Sequence, residues 1–342
     1  MTFSLQSEHE LCSYVSFQSM VEPSIGDMFF TLTESGAWKS CKDLSARQSL
    51  DWLHVVIDAP TWALVSEIYR EIFDICSIAG FYVHPLSDFN VARVGLVFPL
   101  SGALSESEQQ LVMSIATRYG IDLSITANAP TLAQPGLLVM DMDSTVIACE
   151  CIDEIAKLAG VGEAVSEVTE RAMRGELDFA ESLRSRVACL KGLPVETLQQ
   201  IKHRLPIMPG LVRLLNVLQQ KGWRTAIASG GFTYFADHLR QRFGLDDAVA
   251  NVLALEGNTL NGEVEGRIVD ANVKAETVSS LAQKWQISPQ QTVAMGDGAN
   301  DLVMMNTAKL GVAFKAKPIV QQQADTNIQW GGLDTALMYL RY

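Results

Sequence analysis

Two carboxylates directly follow an apolar run near the middle of the chain. The stretch "LLVMDMDSTVIACE" (residues 137–150) has the pattern of a buried strand that ends at Asp141 and Asp143. Carboxylates at a strand end can act as a nucleophile, as an acid–base group or as ligands of a hard cation such as Mg²⁺. Asp side chains also cap helices at such places, so the pair alone is compatible with either role.

Two more polar loops follow apolar runs of the same kind. "RTAIA" leads into Ser229-Gly230-Gly231, "TVAM" leads into "GDGANDL" with Asp297, and "LGVAF" supplies a fourth run. Buried strands that alternate with helices predict a Rossmann-like parallel α/β sheet, which binds ligands outside the carboxyl ends of its strands. The three loops should therefore meet at one edge of the sheet.

Two other segments lie between these strands. Residues 152–208 have a helical pattern without a strand signal, which predicts a helical cap over the sheet edge. "ALEGNTLNGEVEGRIV" predicts a hairpin with its turn at Asn261-Gly262. Lys274 follows this hairpin, and by itself it would be interpreted as a solvated surface lysine.

The N-terminal part has a different element order. Strand patterns occur in "WLHVVID", "FYVHPL", "VARVGLVFPL" and "IDLSITA". One predicted helix ends at Gly80, and another begins with the capping box Ser105/Glu108 and ends at Gly120. The resulting β-α-β-β-α-β order over residues 52–127 predicts a ferredoxin-like α+β domain. Residues 1–49 carry only weak signals, and residues 128–136 have the composition of a linker.

The composition narrows the range of partners. The formal net charge of -13 argues against binding nucleic acid or an acidic membrane surface, so an anionic substrate needs local cations at its site. The opening "MTFSLQSEHE" has no signal-peptide pattern, and no apolar run is long enough to span a bilayer, so we expect a cytoplasmic protein. The cysteines are scattered, which favours small buried or half-buried thiols over a zinc site. They are Cys12, Cys41, Cys76, Cys149, Cys151 and Cys189.

Four segments in order resemble the motifs of the haloacid dehalogenase-type phosphatases. They are "DMDSTVI", "SGGF", Lys274 and "GDGANDL", and the resemblance covers about residues 137–315. The Ser144-Thr145 pair in the first motif resembles the phosphoserine phosphatases in particular. The resemblance implies hydrolysis of phosphoserine to serine and phosphate, as the last step of serine biosynthesis.

The resemblance also implies roles for the residues of the first three motifs. Asp141 would be the nucleophile that forms an aspartyl phosphate, and Asp143 would protonate the leaving alcohol and then activate water. Ser229, Gly230 and Lys274 would hold the phosphoryl oxygens, with the lysine as a point charge and the backbone amides as directed donors.

One Mg²⁺ ion is implied at the same place. Asp141, the backbone carbonyl of Asp143, and Asp297 would bind it, and Asn300 and Asp301 would support these ligands. Asn300 would also contact the substrate.

Four further residues match the family at positions that contact the amino-acid part of the substrate. Glu150 would bind the ammonium group and Arg186 the carboxylate, while Met173 and Phe179 would pack over the substrate. Each residue also has an ordinary alternative role. Glu150 would be an acid in the first turn of a helix, Arg186 an exposed charge on a helix, and Met173 and Phe179 packing between helices.

Two alternatives stay open. The motifs define phosphoryl chemistry and not the alcohol, so a phosphatase or phosphotransferase for another small phosphomonoester is an alternative. A phospho-receiver signalling module also presents an Asp, a hydroxyl residue and a Lys on a parallel sheet, but it needs an acidic pair on an earlier strand and has no use for an Asp-x-Asp base.

The predicted domains are an N-terminal ACT-like domain at residues 1–130, including the poorly defined extension 1–49, and a phosphatase domain at residues 131–342. The first resembles amino-acid-binding regulatory domains and could pair two copies as a homodimer. A dimerisation or solubility module without a ligand is the alternative.

Overall fold

The computed structural model describes residues 2–3, 13–22, 28–42 and 51–342. The chain forms two compact units, Met1–Ala133 together with Asp325–Tyr342, and Gln134–Ala324. The boundary at residues 130/131 stays a prediction. The C-terminal segment belongs to the first unit, which the sequence pattern did not indicate.

The first unit is built on an antiparallel sheet with helices. Its elements are β1 (Thr2–Phe3), α1 (Tyr14–Val21), β2 (Phe29–Leu32), β3 (Trp38–Cys41), β4 (Asp51–Asp58), α2 (Trp62–Ile75), β5 (Phe81–Val83), β6 (Arg93–Pro99), α3 (Glu106–Tyr119) and β7 (Asp122–Ala127). The strand order is β1-β3-β2-β5-β6-β4-β7, and each pairing is antiparallel. A short strand at Thr326–Ile328 and a 3-10 helix at Leu333–Tyr339 complete the unit.

The predicted order of elements over residues 52–127 is present, with one helix shorter than expected. α3 begins with the predicted capping box at Ser105 and ends at Gly120, whose φ is 63°. α2 ends at Ile75 and not at Gly80, because the chain becomes extended and Ile78 forms a bridge with Leu100. Ile78 is buried there, so pairing with the sheet replaces the last predicted turn of helix.

The C-terminal segment is held to β7 by one carboxylate. Asp122 is buried and accepts backbone N–H bonds from Gln329, Trp330 and Gly331, at 2.6–3.0 Å. Burial raises the pKa of this carboxyl, and the three backbone donors act against that rise. A buried carboxylate needs such donors, so the contact fixes the segment in place.

The second unit has the predicted parallel sheet. Its strands are β8 (Leu137–Met140), β9 (Arg224–Phe232), β10 (Asp247–Glu256), β11 (Thr259–Glu265), β12 (Thr292–Gly296) and β13 (Leu310–Phe314). They lie in the order β11-β10-β9-β8-β12-β13, and the pairings are parallel except that of β10 with β11. Leu137, Val139, Ala226 and Ala294 contribute to the buried core on this sheet. Since β8 pairs in parallel with both β9 and β12, the carboxyl ends of these three strands lie at one edge of the sheet, as predicted.

Helices make up the rest of the second unit. They are α4 (Cys151–Ala159), α5 (Gly162–Met173), α6 (Phe179–Ala188), α7 (Val195–Lys202), α8 (Leu211–Gln220), α9 (Thr233–Phe243), α10 (Ala271–Lys284), α11 (Leu302–Thr307) and α12 (Pro318–Gln321). The first four form the predicted helical insert, and no strand lies in residues 152–208.

The predicted hairpin is present with its turn at a different place. Glu256 pairs with Thr259, so the turn is Gly257-Asn258 and not Asn261-Gly262. Gly257 has a φ of 60° and supplies the left-handed conformation that the turn needs. Gly262 lies inside β11, where the pairing with β10 shifts.

The described cysteines are free thiols. Cys76 and Cys151 are buried, and Cys149 and Cys189 are half-buried, as predicted. Cys41 is exposed, contrary to the prediction, because alternate residues of β3 face outward. Cys12 lies outside the described residues. In the part of the chain that the structure describes, no helix is long and apolar enough to cross a membrane.

Candidate active site

The ends of β8, β9 and β12 bring the three polar loops to one cavity of about 270 Å³. The Asp141 N–H donates to the Met295 carbonyl of β12 (2.9 Å), which places the end of β8 beside the end of β12. This cavity is lined by ten residues that the sequence had indicated as site residues. They are Asp141, Asp143, Glu150, Phe179, Arg186, Ser229, Gly230, Lys274, Asp297 and Asn300.

A buried lysine lies between two carboxylates at the base of the cavity. Lys274 is 1% exposed, and its Nζ lies 2.8 Å from Asp141 Oδ1 and 2.7 Å from Asp301 Oδ1. Burial lowers the pKa of Lys274, but the charges of Asp141 and Asp301 outweigh burial and raise it above its usual value. The lysine therefore stays a fixed cation beside Asp141, and removing it would leave buried carboxylates unpaired.

Asp143 lies in a setting that favours its protonated form. Burial raises its pKa well above the usual range, and the charges of Glu150 and Asp141 add to the effect. The Cys151 N–H donates to Asp143 Oδ1 over 3.3 Å and orients the carboxyl group. A carboxyl whose pKa is raised holds its proton more readily and can serve as a general acid.

The two residues after Asp143 position other carboxylates of the site. Ser144 Oγ donates to Glu150 Oε1 (2.8 Å), and Thr145 Oγ1 donates to Asp297 Oδ1 (3.1 Å). Ser144 has a φ of 57°, a left-handed conformation that costs energy for a non-glycine residue. Ser144 and Thr145 thus orient Glu150 and Asp297 respectively, a role that the sequence pattern alone did not reveal.

Three carboxylates form a cluster that could hold a metal ion. One oxygen from each of Asp141, Asp297 and Asp301 lies within 4.8 Å of the others. Burial, with the charges of Asp141 and Asp301, raises the pKa of Asp297 to about 7. Asp301 already accepts bonds from Lys274 through Oδ1 and from the Gly298 N–H (3.0 Å) through Oδ2. Asp141 and Asp297 are therefore the side chains with oxygen left for a cation, and such hard oxygen ligands suit Mg²⁺.

The Ser229-Gly230-Gly231 segment has room only for glycine after the serine. It forms the end of β9 and not a loop after the strand, contrary to the prediction. The Gly231 N–H donates to Ser229 Oγ (2.9 Å). A Cβ on Gly231 would lie 2.8 Å from Asp143 Oδ2, and one on Gly230 would lie 2.9 Å from Cζ of Phe179. Both distances are shorter than a normal contact, so the glycines allow this strand end to approach Asp143 and the cap.

The cap contributes one face of α6 to the cavity. Phe179, Leu183 and Arg186 lie at i, i+4 and i+7 on this helix and line the cavity together. Burial lowers the pKa of Arg186, although Asp153 and Glu150 act to raise it. The Arg186 Nε is buried without a hydrogen-bond partner among the described residues. A half-buried guanidinium with a buried, unpaired N–H can bind an anionic ligand group.

Met173 is not brought to the cavity. It lies at the C-terminal end of α5 and is 74% exposed, so its contact with substrate stays a prediction. Two lining residues, Ile152 and Leu183, were missed in the sequence, and two more, Gly231 and Phe232, belong to the quoted motif "SGGF" but had been given no role. The helical spacing from Phe179 to Arg186 could have indicated Leu183, since residues four apart share one helix face.

Comparison with known proteins identifies the family. The model of the haloacid dehalogenase-like hydrolases matches residues 136–309. A phosphoserine phosphatase of Haemophilus influenzae is 56% identical over 220 residues, which are 64% of this chain and 70% of that protein. This chain belongs to the phosphoserine phosphatase family.

Solved structures of phosphoserine phosphatases resemble this fold as well. A probable phosphoserine phosphatase from Vibrio cholerae, in unliganded form, superposes with a TM-score of 0.73 at 41% identity and covers 88% of each chain. A substrate-bound phosphoserine phosphatase complex has a TM-score of 0.57 at 39% identity and covers 61% of this chain and 99% of that chain. The similarity to the first thus extends beyond the residues that the family model matches.

Proposed function

We propose that this protein is a Mg²⁺-dependent phosphatase that hydrolyses O-phospho-L-serine to L-serine and phosphate. One observation carries the proposal. A single cavity is lined by the Asp141/Asp143 pair with Lys274, and also by Glu150 and Arg186. The first set can transfer a phosphoryl group, and the second set matches the two charges of an amino acid. The reaction would complete serine biosynthesis.

The first chemical step would use the two carboxylates at the end of β8. A carboxylate oxygen of Asp141 forms a bond to phosphorus while the bond from phosphorus to the serine oxygen breaks. Asp143 gives its proton to that oxygen, a role that its raised pKa supports. The products of this step are free serine and an aspartyl phosphate.

The second step would reverse the role of Asp143. Its carboxylate takes a proton from water, the water oxygen attacks phosphorus, and the bond to Asp141 breaks to release phosphate. Lys274, Ser229 and the Gly230 backbone would hold the phosphoryl oxygens during both steps, since they border the same cavity.

The metal would be held by Asp141, Asp297 and the backbone carbonyl of Asp143, with Asn300 and Asp301 supporting them. The donor set fits because two buried acids, Asp141 and Asp301, lie beside the half-buried Asp297 and raise its pKa. Bound Mg²⁺ would offset the negative charge that the phosphoryl oxygens add to this site.

Selectivity for phosphoserine would come from the cap side of the cavity. Arg186 would take the substrate carboxylate, for which its buried Nε–H is available. Glu150, oriented by Ser144, would take the ammonium group. Phe179, Asn300 and Met173 would complete the contacts with the substrate.

The first unit would be a regulatory domain. We propose a ferredoxin-like, ACT-like fold for residues 52–127, within a domain at residues 1–130 that precedes the phosphatase domain at residues 131–342. Support comes from the β-α-β-β-α-β order and from the strand order β5-β6-β4-β7 with antiparallel pairing. This domain would adjust or stabilise the catalytic half, and could join two copies, in a cytoplasmic enzyme.

Phosphate release from a panel of phosphomonoesters, with and without Mg²⁺, tests the proposal. The panel contains phosphoserine, phosphoethanolamine, 3-phosphooxypropanoate and p-nitrophenyl phosphate. We expect the highest kcat/KM for phosphoserine and no turnover after removal of metal. A higher kcat/KM for a substrate that lacks the amino or carboxyl group would contradict the phosphoserine assignment and favour another small phosphomonoester.

A further inference from the structure

Asn251 of β10 is a buried amide whose polar ends are both engaged. It is 1% exposed. Its Nδ2 donates to the Gly230 carbonyl (2.8 Å), and its Oδ1 accepts from the Val269 N–H (2.9 Å). The parallel pairing of β10 with β9 shifts just before Asn251, which pairs with Phe232. The side chain therefore spans two segments that lie far apart in the sequence.

Both segments lead to groups that would hold phosphate. Gly230 follows Ser229 at the end of β9, and both line the cavity. Val269 precedes Asp270, which caps α10 by accepting from the Val273 N–H (2.9 Å). Lys274 lies in the first turns of α10, and its backbone N–H donates to the Asp270 carbonyl (3.0 Å). Asn251 thus joins the end of the strand that carries Ser229 to the start of the helix that carries Lys274.

We propose that Asn251 is a positioning residue, which fixes the distance between Ser229-Gly230 at the end of β9 and Lys274, and thereby the position of the groups that would bind the phosphoryl oxygens. The inference rests on the proposed function. An amide serves because it carries a donor and an acceptor on one rigid plane, as the Gly230 carbonyl and the Val269 N–H require. Without it, both backbone groups lose their buried partner and each segment can shift on its own.

Three variants of the 342-residue chain separate positioning from folding. Asn251→Ala removes both bonds. Asn251→Asp keeps the acceptor for Val269 and loses the donor to Gly230 while its carboxyl is ionised. Gln291→Ala is the matched control, because Gln291 is a buried amide in the same unit that donates to the Gln134 carbonyl, away from the cavity. Each variant is checked by thermal unfolding before kinetics.

Binding of inorganic phosphate is measured through its inhibition constant as a competitive inhibitor of phosphoserine hydrolysis. We expect Asn251→Ala to weaken phosphate inhibition by about tenfold and to lower kcat/KM by about 10²-fold, the scale of a small misplacement of reacting groups. The control should leave the inhibition constant unchanged. An unchanged inhibition constant in folded Asn251→Ala, or an equal change in Gln291→Ala, would overturn the inference.

Asn251→Asp gives a second readout and decides the matter where the alanine variant does not fold. A protonated carboxyl can donate to the Gly230 carbonyl as the amide does, so the ratio of variant to wild-type kcat/KM should rise as pH falls. A ratio that stays flat with pH would contradict the role of the donated bond. Wild-type protein that did not hydrolyse phosphoserine would refute the proposed function itself, whereas normal wild-type turnover with unaffected Asn251 variants would refute this inference alone.

Discussion

Replacing Arg186 by alanine should remove selectivity for the carboxylate of the substrate and leave phosphoryl transfer intact. The guanidinium lies on the cavity face of α6, and burial has already lowered its pKa. Its Nε is buried without a partner among the described residues. Folding has therefore already removed water from this part of the guanidinium. Binding of a substrate carboxylate does not have to remove that water again, so most of the energy of the new hydrogen bonds would contribute to affinity.

The size of the effect follows from the bonds that would be lost. A guanidinium and a carboxylate can form two parallel charge-assisted hydrogen bonds, each contributing about 1.5 kcal/mol or more at a buried site. Losing both costs about 3 kcal/mol, which corresponds to about a 150-fold decrease in kcat/KM for phosphoserine. Phosphoethanolamine has the phosphate and the ammonium group but no carboxylate, so its kcat/KM should change less than threefold, about the scale of a neutral contact.

Steady-state kinetics on both substrates measures this difference directly. Arg184→Ala is the matched control, because Arg184 is an exposed arginine of the same helix. We expect the control to keep wild-type kcat/KM on both substrates. Equal losses on phosphoserine and phosphoethanolamine in Arg186→Ala would mean that Arg186 serves the phosphate or the fold, and the reasoning above would be wrong.

The further predictions concern the nucleophile, the metal and the extent of the catalytic unit. Asp141→Asn should fold normally and lose turnover, because the amide keeps the shape but cannot form the aspartyl phosphate; substantial kcat in a sample shown by mass spectrometry to be free of deamidation would refute the role. The Asp297 carboxyl has a pKa of about 7 without metal, and it must lose its proton to bind a cation. Titration calorimetry should therefore show Mg²⁺ affinity falling by about tenfold per unit as pH drops below about 7, and an affinity independent of pH would contradict this assignment. Calcium should not support turnover at the magnesium rate, since its looser coordination suits in-line transfer badly. Residues 134–324 expressed alone should hydrolyse phosphoserine, whereas a chain from Pro130 to the C-terminus should aggregate, because it exposes Leu337 and Tyr339, which are fully buried in the first unit; a folded but inactive 134–324 fragment would show that the first unit contributes to the site.

The sequence by itself determined the parts of this protein that depend on near neighbours. Each apolar run that ends in a polar loop became a parallel strand of the second sheet, with its loop at the cavity. The capping box at Ser105 and the left-handed Gly120 bounded α3 as predicted. Such signals are reliable because they arise from bonds within one or two turns of the chain. The four motifs in order likewise indicated the family, through their resemblance to the haloacid dehalogenase-type phosphatases.

The tertiary structure decided the features that depend on partners far away in the chain. Ile78 left the predicted helix to pair with Leu100, and the C-terminal segment joined the first unit through Asp122, more than 200 residues earlier. The unpaired Nε of Arg186 and the two bonds of Asn251 are further examples. A pattern of residue types does not state which distant backbone group a side chain will meet. Only the folded chain supplies those groups, because burial requires each polar atom to find a partner wherever the packing places one.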